Sequence, residues 1–254
     1  MPFWKPGLTA LLLALSATGP ADAAARAGRD DAPARLETAI PAPTLPALPP
    51  GTHPLALERG RDGLLYVPAG LDPTRPAPLL LLLHGAGGSG GRILPAVTAE
   101  ADRLGLLVLA PDSREVTWDA IRGAAGPDIA FIDRALAWVT ARFAIDPERQ
   151  AMAGFSDGAS YALMLGMANG DRFRHVLAWS PGFIPPGGRT VAGASFFLTH
   201  GNEDTVLDID RCSRRILTEL RRRGRDARLA EFQGGHVLKA SLLAASLDWA
   251  FRPS

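Results

Sequence analysis

Three residue types at three distant places in the chain could together carry out acyl transfer. Ser156 sits at the centre of Gly154-Phe155-Ser156-Asp157-Gly158, just past an apolar stretch and just before a helical pattern. A Gly-x-Ser-x-Gly turn between a buried strand and a helix holds a serine on a sharp bend at the top of a sheet. Serine is a weak nucleophile at its free pKa and needs a base within hydrogen-bond reach. His236, in "FQGGHVLKA", follows a Gly-Gly pair between the last strand pattern and the last helix pattern. It is the candidate base. An acid must then orient the imidazole. "THGNEDTVLDID" offers Glu203, Asp204, Asp208 and Asp210. Asp208 and Asp210 fall where a helix begins, and capping accounts for them. Glu203 and Asp204 remain, both in the loop itself.

Acyl transfer also needs donors for an oxyanion. The backbone N–H of Asp157, at the start of the helix after the serine, is one candidate. "LHGAGGSGG" supplies the second, through the N–H of Ala86 or Gly85. This glycine-rich stretch lacks the Lys-Ser/Thr of a phosphate-binding loop. His84, in the same stretch, is expected to order the loop by hydrogen bonding. His200, in a similar "THG", is read the same way, and His53 and His175 receive no role.

These residues must be brought together by their elements. "HPLALE" and "DGLLYVP" read as an antiparallel pair. "APLLLLLHG" is a continuous apolar run, as expected of a strand buried on both faces. Strand and helix patterns then alternate: "RILPAVTAEADRLG" (helix), "LLVLAPD", "PDIAFIDRALAWVTARF" (helix), "RQAMAG", "DGASYALMLGMANG" (helix), "HVLAWSPG", "ASFFLTHG", "DIDRCSRRILTELRRRG" (helix), "ARLAEFQG" and "VLKASLLAASLDWAF" (helix). Alternation of this kind predicts a mostly parallel sheet of about eight strands with helices on both faces. Ligands bind such sheets at the carboxyl ends of the strands. His84-Gly85, Ser156, Asp204 and His236 all fall at that edge.

From about residue 60 to 251 the chain resembles the serine esterases of the α/β-hydrolase superfamily. The likeness is to the phospholipase/carboxylesterase group, with polyhydroxybutyrate depolymerase-like and feruloyl esterase-like proteins as neighbours. It is carried by "LLLHGAGGSGG", "GFSDGASYALMLGMANGD", "HVLAWSPGF", "HGNEDTVLDIDRCSRRI" and "EFQGGH". The resemblance implies a triad of Ser156, Asp204 and His236, and it is what selects Asp204 over Glu203. "GGHVLK" departs from the Gly-Pro-His common among relatives, which bears on the pocket wall.

Many such hydrolases carry a cap after the sixth strand. Here "SPGFIPPGGRTVAGAS" is short and rich in Pro and Gly, so no helical lid and an open, shallow site are expected. Trp118 and Phe183 are candidate apolar walls for substrate. The expected substrate is a small carboxylic ester, cleaved through an acyl-enzyme. A small serine peptidase on the same fold and a non-catalytic hydrolase-like binding protein are the alternatives. The peptidase reading is weaker because such enzymes usually add a domain to select peptides. The binding reading requires a damaged triad.

Composition bounds the rest. A net charge of +1 over 254 residues implies no nucleic-acid partner. The run Arg221, Arg222, Arg223 and Arg225 suits a helix C-terminus. Cys212 is the one cysteine, which excludes an internal disulfide. It recurs with Ile209, Ile216 and Leu220 at helical spacing and reads as a buried hydrophobe. No Cys/His spacing suits a metal, and no cofactor is called for. Lys5, the apolar "LTALLLALSATG" and Ala21-Asp22-Ala23 read as a cleavable signal over residues 1–23, with Ala24 as mature start. Secretion or a periplasmic location follows, without a membrane span in the mature protein. Residues 24–50, rich in Ala and Pro, read as an extended linker before a catalytic domain over 51–254.

Overall fold

The computed structural model describes residues 34–252 except 73, 124–125 and 188–189. The signal expected over 1–23, and the linker as far as residue 33, lie outside the described residues.

Eight strands form one sheet: β1 (Gly51–Pro54), β2 (Gly63–Val67), β3 (Ala77–Leu83), β4 (Leu107–Pro111), β5 (Ile145–Phe155), β6 (His175–Trp179), β7 (Ser195–Gly201) and β8 (Ala227–Phe232). Their order is β1-β2-β4-β3-β5-β6-β7-β8. β1 pairs antiparallel with β2, and β2 antiparallel with β4; every other pairing is parallel. The α-helices among the described residues are α1 (Gly90–Ile93), α2 (Thr98–Leu104), α3 (Pro127–Thr140), α4 (Asp157–Ala168), α5 (Ser213–Arg222) and α6 (Ala240–Phe251). The chain has the α/β-hydrolase fold, as the sequence patterning and the resemblance imply.

The leucine run of β3 shows why this sheet is covered twice. Successive strand residues point to opposite faces. Leu79, Leu81 and Leu83 enter one core, with α3, α4 and α5 residues such as Ile132, Leu163 and Ile216. Leu80 and Leu82 enter the other, with Ala101 of α2 and Leu243, Leu247 and Phe251 of α6. A strand with both faces dry has no polar position, hence the unbroken apolar run.

After β3 the chain moves to one side for β4, then returns to the other side for β5. The loops after β3 and β5 therefore diverge from neighbouring strand ends. A crevice opens at such a reversal. The glycine-rich loop and the Ser156 turn lie on its two sides.

Element boundaries shift from those expected. The helix read over 92–105 is broken into α1, a 3-10 turn at Leu94–Ala96 and α2. Pro95 lies at this break, where it cannot donate to a continuous helix. α5 begins at Ser213 and α6 at Ala240, because the loops bearing Asp204 and His236 run longer than their patterns suggest.

The free linker expected over 24–50 does not describe residues 34–50. Proline there prevents regular structure, but it does not prevent docking. Ala34 and Leu36 are buried in the core on the α3–α4 face. The Leu36 N–H donates to Asn169 Oδ1 at 2.8 Å, and Asn169 Nδ2 donates to the Ala34 carbonyl at 2.7 Å. Arg35 pairs with Asp171 at 2.5 Å. The Thr38 hydroxyl donates to the Asp133 carbonyl at 2.8 Å, and the N–H groups of Thr44 and Leu45 donate to the Ala141 carbonyl at 2.9 and 2.8 Å. The segment is a strap whose backbone groups find partners on the domain.

Candidate active site

Ser156 joins β5 to α4 with φ 56° and ψ −120°, a backbone state that costs a side-chain-bearing residue about 1–3 kcal/mol. The flanking glycines are required by contact. A Cβ on Gly154 would lie 2.3 Å from the Gly158 backbone, and a Cβ on Gly158 would lie 2.3 Å from the Leu83 carbonyl oxygen. The turn is thus wedged between its own helix and the end of β3.

His236 Nε2 lies 2.9 Å from Ser156 Oγ, and His236 Nδ1 lies 2.6 Å from Asp204 Oδ2. A carboxylate only accepts, so Nδ1 carries the proton and Nε2 is left to accept from the serine hydroxyl. Ser156, His236 and Asp204, 80 and 32 residues apart along the chain, form one relay. The Phe155 ring packs 4.8 Å from the His236 ring and limits its swing.

The Asp204 side chain is fully buried. Burial alone would raise its pKa. Hydrogen bonds from the Leu207 N–H, His236 and the Val206 N–H outweigh burial and hold it below the usual carboxylate range. Glu203 is exposed and bonded to Gln233 Nε2, away from His236. Asp208 accepts from the Arg211 N–H at 3.0 Å, and Asp210 pairs with Arg214 at 2.8 Å, so neither reaches the imidazole.

The loop after β3 faces the serine. A Cβ on Gly85 would come within 3.3 Å of Ser156 Cβ. The N–H groups of Gly87 and Gly88 are committed to the Val116 and Gly85 carbonyls at 2.7 and 3.0 Å. That leaves the N–H groups of Ala86 and Gly85 as the loop's candidate donors. As the first helical residue, Asp157 has an N–H with no acceptor inside α4. Its carboxylate accepts from the Thr117 hydroxyl at 2.6 Å.

His84 is buried beneath this loop. The Ser113 N–H donates to His84 Nε2 at 2.9 Å, so Nδ1 carries the proton and donates to the Gly85 carbonyl at 2.7 Å. Burial lowers its pKa and keeps it neutral, as an accepting Nε2 requires. It orders the loop, as its position in the sequence suggests. His200 is likewise buried and neutral, with Nε2 donating to the Leu207 carbonyl at 2.8 Å and Nδ1 2.6 Å from Ser213 Oγ. His53 contacts the Pro49 carbonyl and His175 packs on Trp249, both outside the site.

Trp118 is not a substrate wall. It is fully buried, stacks on Tyr161 at 5.1 Å, and its Nε1 donates to the His84 carbonyl at 2.8 Å. The indole has an internal partner for its one polar atom, so it can lie in the core and hold the strand end from below. Phe183 is exposed at 45%.

Residues that the motifs did not point to complete the frame. Arg61, between β1 and β2, donates to the Gly88 carbonyl at 2.9 Å, to Ser113 Oγ at 3.2 Å and to the Ser113 carbonyl. Ser160, one turn into α4, accepts from the N–H groups of Gly182 and Phe183 at 2.9 and 3.4 Å. These contacts join segments remote in sequence, and no local pattern signals them. Among the described residues there is no cluster of metal-ligating side chains and no helix long and apolar enough to cross a membrane.

A family model described as "Putative esterase" matches residues 130–215. Feruloyl esterase C of Emericella nidulans is 30% identical over 158 residues, 59% of this chain and 57% of that protein. The chain thus spans less than two thirds of the length of the curated relatives it matches. Among solved structures, esterase PE8 superposes with a TM-score of 0.62 at 23% identity, covering 74% of this chain and 98% of its own. A ferulic acid esterase from Anaeromyces mucronatus gives 0.61 at 16% identity, covering 87% and 98%. At these identities the superpositions speak for the fold alone.

Proposed function

We propose that this α/β-hydrolase is a serine esterase that cleaves carboxylic esters through an acyl-enzyme. The carrying observation is the relay from Ser156 Oγ through His236 to the buried Asp204 carboxylate. Ser156 Oγ attacks the ester carbonyl carbon as His236 Nε2 takes the hydroxyl proton. The N–H groups of Asp157 and Ala86 receive the oxyanion. His236 returns the proton to the departing alcohol, leaving acyl-Ser156. Water, deprotonated by His236, then attacks the acyl carbon, and Ser156 regains its proton as the acid leaves. Asp204 holds the imidazole in the required tautomer and stabilises the imidazolium.

The surroundings favour an apolar acyl or aryl group. Among the described residues five large apolar side chains are markedly exposed: Leu45, Val116, Phe183, Val206 and Val237. The last four lie in loops at the carboxyl edge of the sheet, Val206 and Val237 just after Asp204 and His236. Apolar exposure gathered at one mouth marks a binding surface. Phe183 takes the role of substrate wall in this reading. The described residues between β6 and β7 contain no helix or strand, which supports an open site. The relatives' names make feruloyl esters a substrate class to test first, beside short-chain acyl esters. Export across a membrane rests on the residues at 1–23 alone.

The test is hydrolysis of p-nitrophenyl esters from acetyl to long acyl chains, with a feruloyl ester and an amide alongside. Turnover of esters that vanishes in Ser156→Ala supports the proposal. Faster cleavage of the amide would favour a peptidase, and no turnover by folded protein a binding role.

A further inference from the structure

A cavity of about 300 Å³ opens between the loop after β6 and α5, lined by Gly182, Phe183, Ile184, Arg211, Arg215, Ile216 and Glu219. Its near wall is tied to the nucleophile's helix. Ser160 Oγ, which accepts from the Gly182 and Phe183 N–H groups, sits four residues after Ser156, about 6 Å along α4. Its far wall is the start of α5. The loop after β6 that carries Phe183 starts next to the Ser156 turn, whose N–H donates to the Trp179 carbonyl at 2.9 Å.

The lining combines two chemistries. Phe183, Ile184 and Ile216 offer apolar surface. Arg211 and Arg215 offer guanidinium groups, and neither makes an ion pair among the described residues. Their neighbours do: Arg214 pairs with Asp210 and Glu231, and Arg223 pairs with Glu219. The acid in the cavity is thereby engaged, while neither Arg211 nor Arg215 has a carboxylate within 4 Å among the described residues. Arg211 lies in the turn before α5 and Arg215 in its first turn, so both guanidinium groups are carried by one short stretch. A guanidinium presents a fork of donors that matches a carboxylate.

We infer that this cavity is a subsite for a carboxylate on the part of the ester remote from the scissile bond, with the intervening carbon chain lying on Phe183 and Ile216. The inference deepens the esterase reading and rests on it for the identity of the ligand. The substrate class is the hemiester of an extended dicarboxylic acid, or an ester whose alcohol carries a carboxylate.

Two pairs of probes decide it: monomethyl against dimethyl suberate, and 6-acetoxyhexanoate against its methyl ester. Binding to the Ser156→Ala protein is measured by calorimetry, independently of turnover. The charged member of at least one pair binds about tenfold more tightly than its neutral twin, as two exposed cations acting together allow. The preference disappears in the Arg211→Glu/Arg215→Glu background and in 1 M salt. Should that double variant fail to fold, Arg211→Gln/Arg215→Gln provides the same comparison. Equal binding within both pairs, or a preference that survives the substitutions, overturns the subsite. Release of methanol or acetate by the unmodified protein is followed in parallel. Charge-selective binding with no hydrolysis of any probe would overturn the esterase reading and leave the anion subsite standing. Hydrolysis without charge preference would do the reverse.

Discussion

His200 Nε2 lies 3.2 Å from Asp204 Oδ2, the same oxygen that His236 Nδ1 meets at 2.6 Å. One buried carboxylate oxygen thus faces two imidazoles, one placed at Ser156 and one locked in the core. The other oxygen accepts from the Val206 and Leu207 N–H groups at 2.9 and 2.8 Å. Asp204 has little freedom to rotate, and the direction in which it holds His236 is set by the fold of its own loop.

Replacing Asp204 with Asn should lower kcat by about 10⁴-fold while the protein stays folded, because the amide can stabilise the wrong imidazole tautomer. Glu203→Gln should leave the rate near that of the parent, since Glu203 faces Gln233 and solvent. Steady-state kinetics on one p-nitrophenyl ester compares the two. A larger loss from Glu203→Gln would reassign the acid.

Gly158→Ala should lower stability by about 1–3 kcal/mol and abolish most turnover. The new methyl would press on the Leu83 carbonyl and push α4 away from the oxyanion loop. Urea unfolding and single-ester kinetics read both effects. Parent-like values in both would show that the turn is not wedged as described.

Arg61→Met tests positioning of the loop from behind. Arg61 touches no reacting atom but fixes the Gly88 carbonyl and Ser113. A displaced oxyanion donor should lower kcat by about tenfold with a small change in KM, less than the loss on deleting a donor outright. A rise in KM with kcat intact would assign Arg61 to substrate binding instead.

Stability should fall as pH drops below about 6.5. Burial depresses the pKa values of His84, His175 and His200, so the unfolded chain binds protons that the folded protein refuses. Their contribution is complete above the unfolded value and is lost as pH falls toward the folded one, by up to about 1.4 kcal/mol per pH unit for each. Asp204, also depressed, acts only below about pH 4, where unfolded aspartate begins to protonate. Urea unfolding at pH 8, 6.5 and 5 reads the histidines, with the buried Asp128 carboxyl, whose pKa is raised, acting in the opposite sense toward the acid end. A flat profile over that range would contradict their neutrality in the folded state.

Leu36→Ala should cost about 2–5 kcal/mol, the range for emptying a buried leucine site. Removing residues up to 50 should lower the Tm further. A free linker would predict no change from either, so the thermal melt distinguishes strap from tether.

Much of the site was legible in the residues themselves, for local reasons. The apolar run of β3, the glycines around Ser156 and the alternation of periods each reflect a constraint within a few residues. They were sufficient for the fold class and for the edge where chemistry would gather. Trp118 was misplaced because an indole in a polar loop looks alike whether it faces substrate or core. Only its long-range hydrogen bond to the His84 carbonyl decides.

The residues alone supplied an inventory: one serine on a Gly-flanked turn, a histidine after a glycine pair, and an acid chosen from a short loop with the help of a resemblance. Their order along a strand-helix alternation was enough to bring them to one edge. The distances, the tautomers, the bond that turns Glu203 toward Gln233, the strap over 34–50 and the arginines beside Phe183, without an ion pair among the described residues, belong to the tertiary structure. Those depend on side chains far apart in the chain meeting in three dimensions. A hydrogen bond to a remote carbonyl, or the lack of a counter-charge, leaves no periodic trace in the residues that make it.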